Sequence, residues 1–312
     1  MRDNFTKARV AILLCTYNGQ RFLEEQLDSF EAQTHENWVV CASDDGSQDL
    51  TLSILEEYQK KWPANRLVIR NGPRKGYAKN FLSLVCRDEI KAEYYAYSDQ
   101  DDIWEKEKLT RALHWLETLP KDCPALYCSR TCLVDTDNKE IGYSPLFKKT
   151  PSFANALTQN IGGGNTMVFN ASARALLQDT AEYAPLFFHD WWTYLVVSGC
   201  GGLVFYDAYP SLRYRQHQNN LVGMNSNWRA RFQRIGLLWQ GQFKEWNDSN
   251  TTGLMKMYEK LSLENRNVLD HFCAARQESL IPRLKKVRQS GVYRQNLLGN
   301  LGLVAAAIFN KL

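Results

Sequence analysis

No pair of cysteines in this chain is spaced as CxxC, and its eight cysteines follow no regular interval across 312 residues. That excludes a compact zinc cage, argues against a disulfide scaffold and fits a reducing compartment. Cys15, Cys41 and Cys86 read as small core hydrophobes. The start MRDNFTKARV carries charges but no apolar h-region, so no signal peptide is visible. The most apolar tail segment, LLGNLGLVAAAIFNKL, is too short and too interrupted by glycine to read as a membrane span. No GxxxxGK[ST] occurs, which removes a P-loop phosphoryl transferase. The first apolar run leads into CTYNG and not into the glycine-rich turn that a dinucleotide cofactor needs, which removes that class of oxidoreductase. No internal repeat or low-complexity linker divides the chain.

What is present is enough apolar material, 44% of residues, for one large α/β domain with an extension or for two modest domains. The formal net charge is only +4, but it is unevenly placed: from Arg229 to the end there are 14 Lys/Arg against 6 Asp/Glu, so the body is mildly acidic and the tail basic. A basic tail suits an anionic membrane surface, and it equally suits a solvated helical face. Nucleic acid is not expected as a partner, because no recognition motif accompanies the charge.

Strand and helix patterns alternate through the first hundred residues. ARVAILLCTYNG reads as a buried strand ending near Cys15, and Phe22, Leu23, Gln26, Leu27 and Phe30 then recur at helical spacing. ENWVVCASDDGSQDLT repeats the arrangement as strand, acidic loop and helix. RLVIRNG and AKNFLSLVCRDEI supply a third pair, and YYAYSDQDD a fourth strand that ends in carboxylates. Such alternation predicts a mostly parallel sheet with right-handed crossovers, whose ligands bind beyond the carboxyl ends of the strands. The polar clusters around Thr16, Asp44 and Asp99 therefore converge on one sheet edge. Downstream, ALYCSRTCLVDTDNKEIG predicts a strand and hairpin arm, NIGGGNTMVFNASARALL a glycine-rich loop, short strand and helix capped by Asn170 or Ser172, FFHDWWTYLVVSG an aromatic helix, and GGLVFYDAYPSLRYRQHQNN a strand running into a polar loop. Beyond Asn225 the tail reads as helices.

Three carboxylates within four positions, Asp99, Asp101 and Asp102, allow two explanations. They can form a solvated turn that caps the next helix. They can also share a hard cation, Mg²⁺ or Mn²⁺, with substrate phosphates, which would offset their mutual repulsion at an ordered strand end. Asp44 and Asp45, followed by Gly46 and Ser47, can likewise cap a helix or grip the base and ribose of a nucleotide.

VAILLCTYN at 10–18, SDDGS at 43–47 and SDQDD at 98–102, followed by GYAKNF at 76–81, HDWW at 189–192 and YRQHQNNLVG at 214–223, together resemble the inverting family 2 glycosyltransferases, and among them bacterial rhamnosyltransferases of O-antigen, capsule or cell-wall polysaccharide synthesis. The likeness covers about residues 8–225 and is specific as an ordered set. It implies the GT-A fold, a nucleotide-binding α/β/α sandwich around a mostly parallel mixed sheet. The catalytic domain would occupy 1–225, with a nucleotide-sugar half at about 8–104 and an acceptor half at about 105–225, and 226–312 would be a helical C-terminal extension. Thr16, Tyr17 and Asn18 would line the nucleotide pocket with Asp44, Asp45, Lys79, Asn80 and Asp99. Asp99 and Asp101 would form the metal-binding acidic motif, Asp101 as principal ligand, while Asp102 orients the loop and Trp104 packs under it. Asp190 would be the catalytic base, and Arg215 and His217 would lie near the diphosphate or close over the donor. Gly163, Trp191 and Trp192 would face the acceptor.

The resemblance implies a nucleotide-diphosphate sugar donor, dTDP-L-rhamnose, with UDP-hexoses and UDP-N-acetylhexosamines as alternatives, and a non-catalytic nucleotide- or carbohydrate-binding protein on the same scaffold as the competing class. The acceptor would be a lipid-linked or free oligosaccharide, met in the cytoplasm at the inner face of the bacterial membrane. The residues by themselves leave several roles open. Asp190 could cap the helix that starts there, Trp191 and Trp192 could stack on a sugar or fill the core, and Gly162–Gly164 could make a tight turn or bring backbone amides to a ligand. The tail could attach to the membrane, pack on the catalytic domain or form a homodimer.

Overall fold

The computed structural model describes residues 7–184, 187–216 and 242–312. His217 lies outside the described residues. Among them nine strands form one sheet, and its first four strands repay the alternation seen in the sequence. β1 (Val10–Thr16) lies between β2 (Trp38–Asp44) and β4 (Tyr94–Ser98), with β3 (Leu67–Asn71) outside β2, all parallel. Helices α1 (Leu23–Glu31), α2 (Thr51–Lys61) and α3 (Tyr77–Val85) make the crossovers. β1 shows why a strand in such a sheet is apolar throughout. Val10, Ile12 and Leu14 face the core beneath α1 and α2, whereas Ala11, Leu13 and Cys15 face the core on the opposite side beneath α3.

Beyond β4 the sheet becomes mixed. β8 (Val168–Asn170) pairs antiparallel with both β4 and β6 (Ala125–Val134), and β7 (Glu140–Tyr143) forms a hairpin arm on β6. β9 (Leu203–Arg215) runs parallel to β6 and also pairs antiparallel with the two-residue β5 (Ile103–Trp104). The pairing of Ile103 with Arg213 returns the end of β9 to the acidic loop after β4, although more than 100 residues separate them in sequence. Helix α4 (Lys108–Leu116) covers one face, and α5 (Phe153–Ala156), α6 (Ala171–Thr180) and α7 (His189–Gly199) lie on the other. Asn170 is the α6 cap, its side chain accepting from the Ala173 N–H at 3.0 Å.

Helices Gln242–Lys256 and Leu263–Gln277 add Leu254, Leu269 and Phe272 to the core under α7. These two helices therefore complete the hydrophobic layer on that side of the sheet. All eight cysteines are free thiols. Cys15 and Cys41 are buried as expected, but Cys86, at the exposed end of α3, is not a core residue.

Candidate active site

The carboxyl ends of β1, β2 and β4 meet at one edge. Asp44 closes β2 and gathers four donors: the Thr16 hydroxyl at 2.9 Å, the Gly46 and Ser47 N–H groups at 3.0 and 2.8 Å, and the Ser47 hydroxyl. Asp45 accepts from the Arg74 and Gly76 N–H groups at 2.6 and 2.9 Å and so fixes the loop before α3. Both carboxylates thus build the rim, as loop-capping groups do. Asn18, at φ +49°, donates its N–H to Ser47 and accepts from the Gln48 N–H. Tyr17 stands exposed above this rim. Lys79 is half-buried on α3, whereas Asn80 is buried and spends both amide atoms on Ser43, joining α3 to β2.

The acidic loop follows β4. Asp99 is half-buried, and its carboxyl is pushed up to about 7 by desolvation and then by the charges of Asp101 and Asp190. Asp102 is buried and raised well above the carboxylate range, first by burial and then by Asp101 and Asp99, while accepting from the Asn165 amide. Under the loop the Lys108 ammonium is fully buried, donates to the Asn165 carbonyl at 2.6 Å, lies 4.5 Å from the Trp104 ring, and is lowered to about 7 by desolvation. Trp104 is itself buried against Phe30.

Asp190 enters from the first turn of α7. Its two oxygens accept from the Gly164 N–H at 3.1 Å and the Trp191 N–H at 2.7 Å, and desolvation pushes it up to about 6. The glycine run explains how the turn comes so close. A Cβ on Gly164 would sit 2.4 Å from the His189 ring nitrogen, and one on Gly162 would sit 2.8 Å from Cys128. His189 is packed face to face on Phe81 at 4.0 Å and driven down to about 3 by desolvation, so it is a neutral spacer. The short helical turn Gly164–Thr166 consequently touches both acids of the site: Asn165 holds Asp102, and Gly164 holds Asp190.

Three expected site residues have other surroundings. Arg215 is 1% exposed, and its guanidinium donates to the carbonyls of Asp101 and Thr136 and to the Glu25 carboxylate, anchoring the acidic loop from beneath. Trp191 is buried with its indole N–H on the Ala156 carbonyl, and Trp192 is fully buried against Gly253, so neither offers a sugar-stacking face. Gly163 lies at the turn beside Asp190. One contributor passed unnoticed in the sequence is Gln100. Its amide bonds the Tyr17 N–H at 2.8 Å and the Tyr17 carbonyl at 3.0 Å, tying the acidic loop to the end of β1.

Among the described residues no group of three or more His, Cys, Asp or Glu side chains is arranged as a metal cage. A hard cation shared with a diphosphate does not need one: one or two carboxylates, phosphate oxygens and water suffice for Mg²⁺. The like-charge strain on Asp99 fits that donor set, since a cation between Asp99 and Asp101 would relieve it.

The profile described as Glycosyl transferase family 2 matches residues 11–179. The chain is 30% identical over 238 residues, 72% of this chain and 78% of the other, to the dTDP-rhamnosyl transferase RfbG of Shigella flexneri. It is 28% identical over 111 residues to the putative teichuronic acid biosynthesis glycosyltransferase TuaG of Bacillus subtilis, covering 35% of this chain and 42% of that one. Its fold is similar to that of S. aureus TarS 1-349 in complex with UDP, with a TM-score of 0.54, 17% identity and 90% of each chain covered. The mannosyltransferase PcManGT of Pyrobaculum calidifontis, solved with GDP-Man and Mn²⁺, aligns over 98% of this chain and 89% of its own at a TM-score of 0.50 and 16% identity.

Proposed function

The chain belongs to glycosyl transferase family 2, and from that premise we propose that it transfers L-rhamnose from dTDP-L-rhamnose to a hydroxyl of a growing surface glycan, with inversion at the anomeric carbon. The observation that carries the reading is the pairing of two acidic groups through one turn, with Asp190 on the Gly164 N–H and the Asp99–Asp102 loop on Asn165. An inverting transfer needs two separated acidic functions, one to take a proton and one beside the leaving diphosphate. The likeness to RfbG along most of both chains supports the donor.

In this reading the acceptor hydroxyl lies against Asp190. Its oxygen forms the new bond to the anomeric carbon as its proton passes to the carboxylate, and the bond to the phosphate oxygen breaks on the opposite face. The Gly164 and Trp191 N–H groups and the Asn160 side chain occupy part of the carboxylate's roughly four acceptor sites, which leaves one to receive the proton. Asp99 and Asp101 would hold Mg²⁺ or Mn²⁺, which would stabilise charge on the departing dTDP. Thr16, Tyr17, Asp44 and Asp45 form the rim on which the nucleoside would rest.

Calorimetric titration with dTDP-L-rhamnose, UDP-glucose, UDP-N-acetylglucosamine and GDP-mannose, with and without Mg²⁺ or Mn²⁺, tests this. Cation-dependent binding of the dTDP-sugar above the others is expected. Preference for a UDP-sugar would overturn the donor assignment, and failure of all four to bind folded protein would favour a scaffold without transferase activity.

A further inference from the structure

The last 34 residues, 279–312, contain no Asp or Glu and carry Arg283, Lys285, Lys286, Arg288, Arg294 and Lys311. Two helices occupy this segment. Leu280–Ser290 ends at Gly291 in the left-handed region, and Leu297–Ile308 is capped by Asn296, which accepts from the Gly299 N–H. They are clamped together by the buried Arg283, whose guanidinium donates to the Ala307 carbonyl at 2.9 Å. One face of the last helix, Leu303, Ala306 and Ala307, packs inward with Leu312. The opposite face is also apolar. Leu297, Leu301, Val304 and Ile308 recur at i, i+4, i+7 and i+11 and are 76%, 57%, 48% and 44% exposed, flanked by Leu298 at 71%. On the preceding helix Ile281 is 80% exposed, and Lys285 and Arg288 are exposed as well.

Isolated surface leucines are ordinary, but an unbroken stripe of five on a helix already apolar on its inner face marks an interaction surface. Charge selects the occupant. A second copy docking by two-fold symmetry would bring the same acid-free, basic surface against itself. An anionic bilayer supplies both the apolar depth for the leucines and the negative headgroups for Lys285 and Arg288. Among the described residues no helix is long and apolar enough to cross a membrane. We propose that the leucine stripe of the last helix, with the exposed cations of the helix before it, seats the protein on an anionic lipid surface, lying in the interface without spanning it. The proposal does not depend on the transfer reaction.

The seat is fixed to the site. Tyr293, in the link between the two helices, accepts through its carbonyl from the Asn155 amide at 3.0 Å and the Thr158 hydroxyl at 2.7 Å, and the Gln295 N–H donates to Gln159 at 2.8 Å. These partners lie just before the Gly162–Gly164 turn that holds Asp190. A glycan carried on a lipid would then meet Asp190 from a body already fixed at the membrane.

The test is sedimentation of the full chain with vesicles of phosphatidylglycerol and phosphatidylcholine, against vesicles of phosphatidylcholine alone. Wild type is expected to bind the anionic vesicles, less so at high salt. The pair Leu298→Glu/Leu301→Glu and the pair Lys285→Glu/Arg288→Glu should each weaken binding at least about tenfold. Their melting curves should match wild type, because all four side chains are exposed. Wild type that ignores anionic vesicles, or variants that bind as wild type does, would overturn the proposal. So would a lipid-free dimer that Leu298→Glu/Leu301→Glu dissociates while wild type shows no vesicle affinity, since the stripe would then cover a second copy.

Discussion

Asp44 at the end of β2 and Asp190 at the start of α7 stand at the same sheet edge, and the fold surrounds them in opposite ways. Asp44 receives two backbone N–H groups and two hydroxyls, so its burial is matched donor for donor. Asp190 receives the Gly164 and Trp191 N–H groups and the Asn160 side chain, but desolvation outweighs these donors, and its charge is held near that of Asp99. Its carboxyl is accordingly pushed up to about 6. Saturating a buried carboxylate with donors makes it part of the frame, whereas leaving it under-solvated stores a proton affinity that a base can use.

The largest effect that would sharpen this contrast is on turnover. Asp190→Asn should lower kcat by about 10²–10⁴-fold, the usual worth of a positioned general base. In wild type the acid limb of kcat/KM should bend near pH 6, where Asp190 loses its proton. Stability should move the other way. A carboxyl whose pKa is raised by folding binds its proton more tightly in the native state, so ionisation penalises the fold progressively from about pH 4 to 6 and fully above that. Asp190→Asn removes the penalty and should gain about 3 kcal/mol at pH 8 and little at pH 4. Equal denaturation midpoints for variant and wild type at both pH values would show that the site stores no such strain.

Asp44→Ala probes the other side and should cost stability. Removing the acceptor strands the Thr16 and Ser47 hydroxyls and two N–H groups, a loss of about 3 kcal/mol in urea unfolding. A loss below about 1 kcal/mol would mean that water replaces the carboxylate and that the frame does not depend on it.

How much of this was readable beforehand follows the range of the interactions. The parallel half was legible because each element carries its own period: β1 is apolar on both faces, and Leu23, Leu27 and Phe30 mark one side of α1. Asp44 and the Asp99–Asp102 run stood out because carboxylate runs at strand ends are rare enough to be noticed, whereas Asp190 was singled out by the family resemblance, its own setting fitting a helix cap equally well. Arg215 could not be placed, since a guanidinium after a strand looks the same whether it meets a phosphate or the Glu25 carboxylate 190 residues away. Trp191 and Trp192 were ambiguous for a similar reason: their burial is completed by Trp246 and Gly253 from the C-terminal helices. Asn165 and Gln100 gave no signal, because neutral amides beside glycines or carboxylates carry neither charge nor periodicity.

Gln100 offers the finest test of how the frame reaches the acids. Its amide bridges both backbone groups of Tyr17, and the neighbouring Gly19 leaves the space it fills, since a Cβ there would lie 2.3 Å from Gln100 Oε1. Gln100→Ala should cost about 1–2 kcal/mol through two lost hydrogen bonds. Gly19→Ala should cost a similar amount by expelling the same amide from the same place. Because both changes break one contact, the double variant should be scarcely worse than either single one, with a coupling of about 1 kcal/mol. Additive losses in urea unfolding would mean that Gly19 serves the turn after β1 independently of Gln100, and that the acidic loop is carried by Arg215 and Asn165 alone.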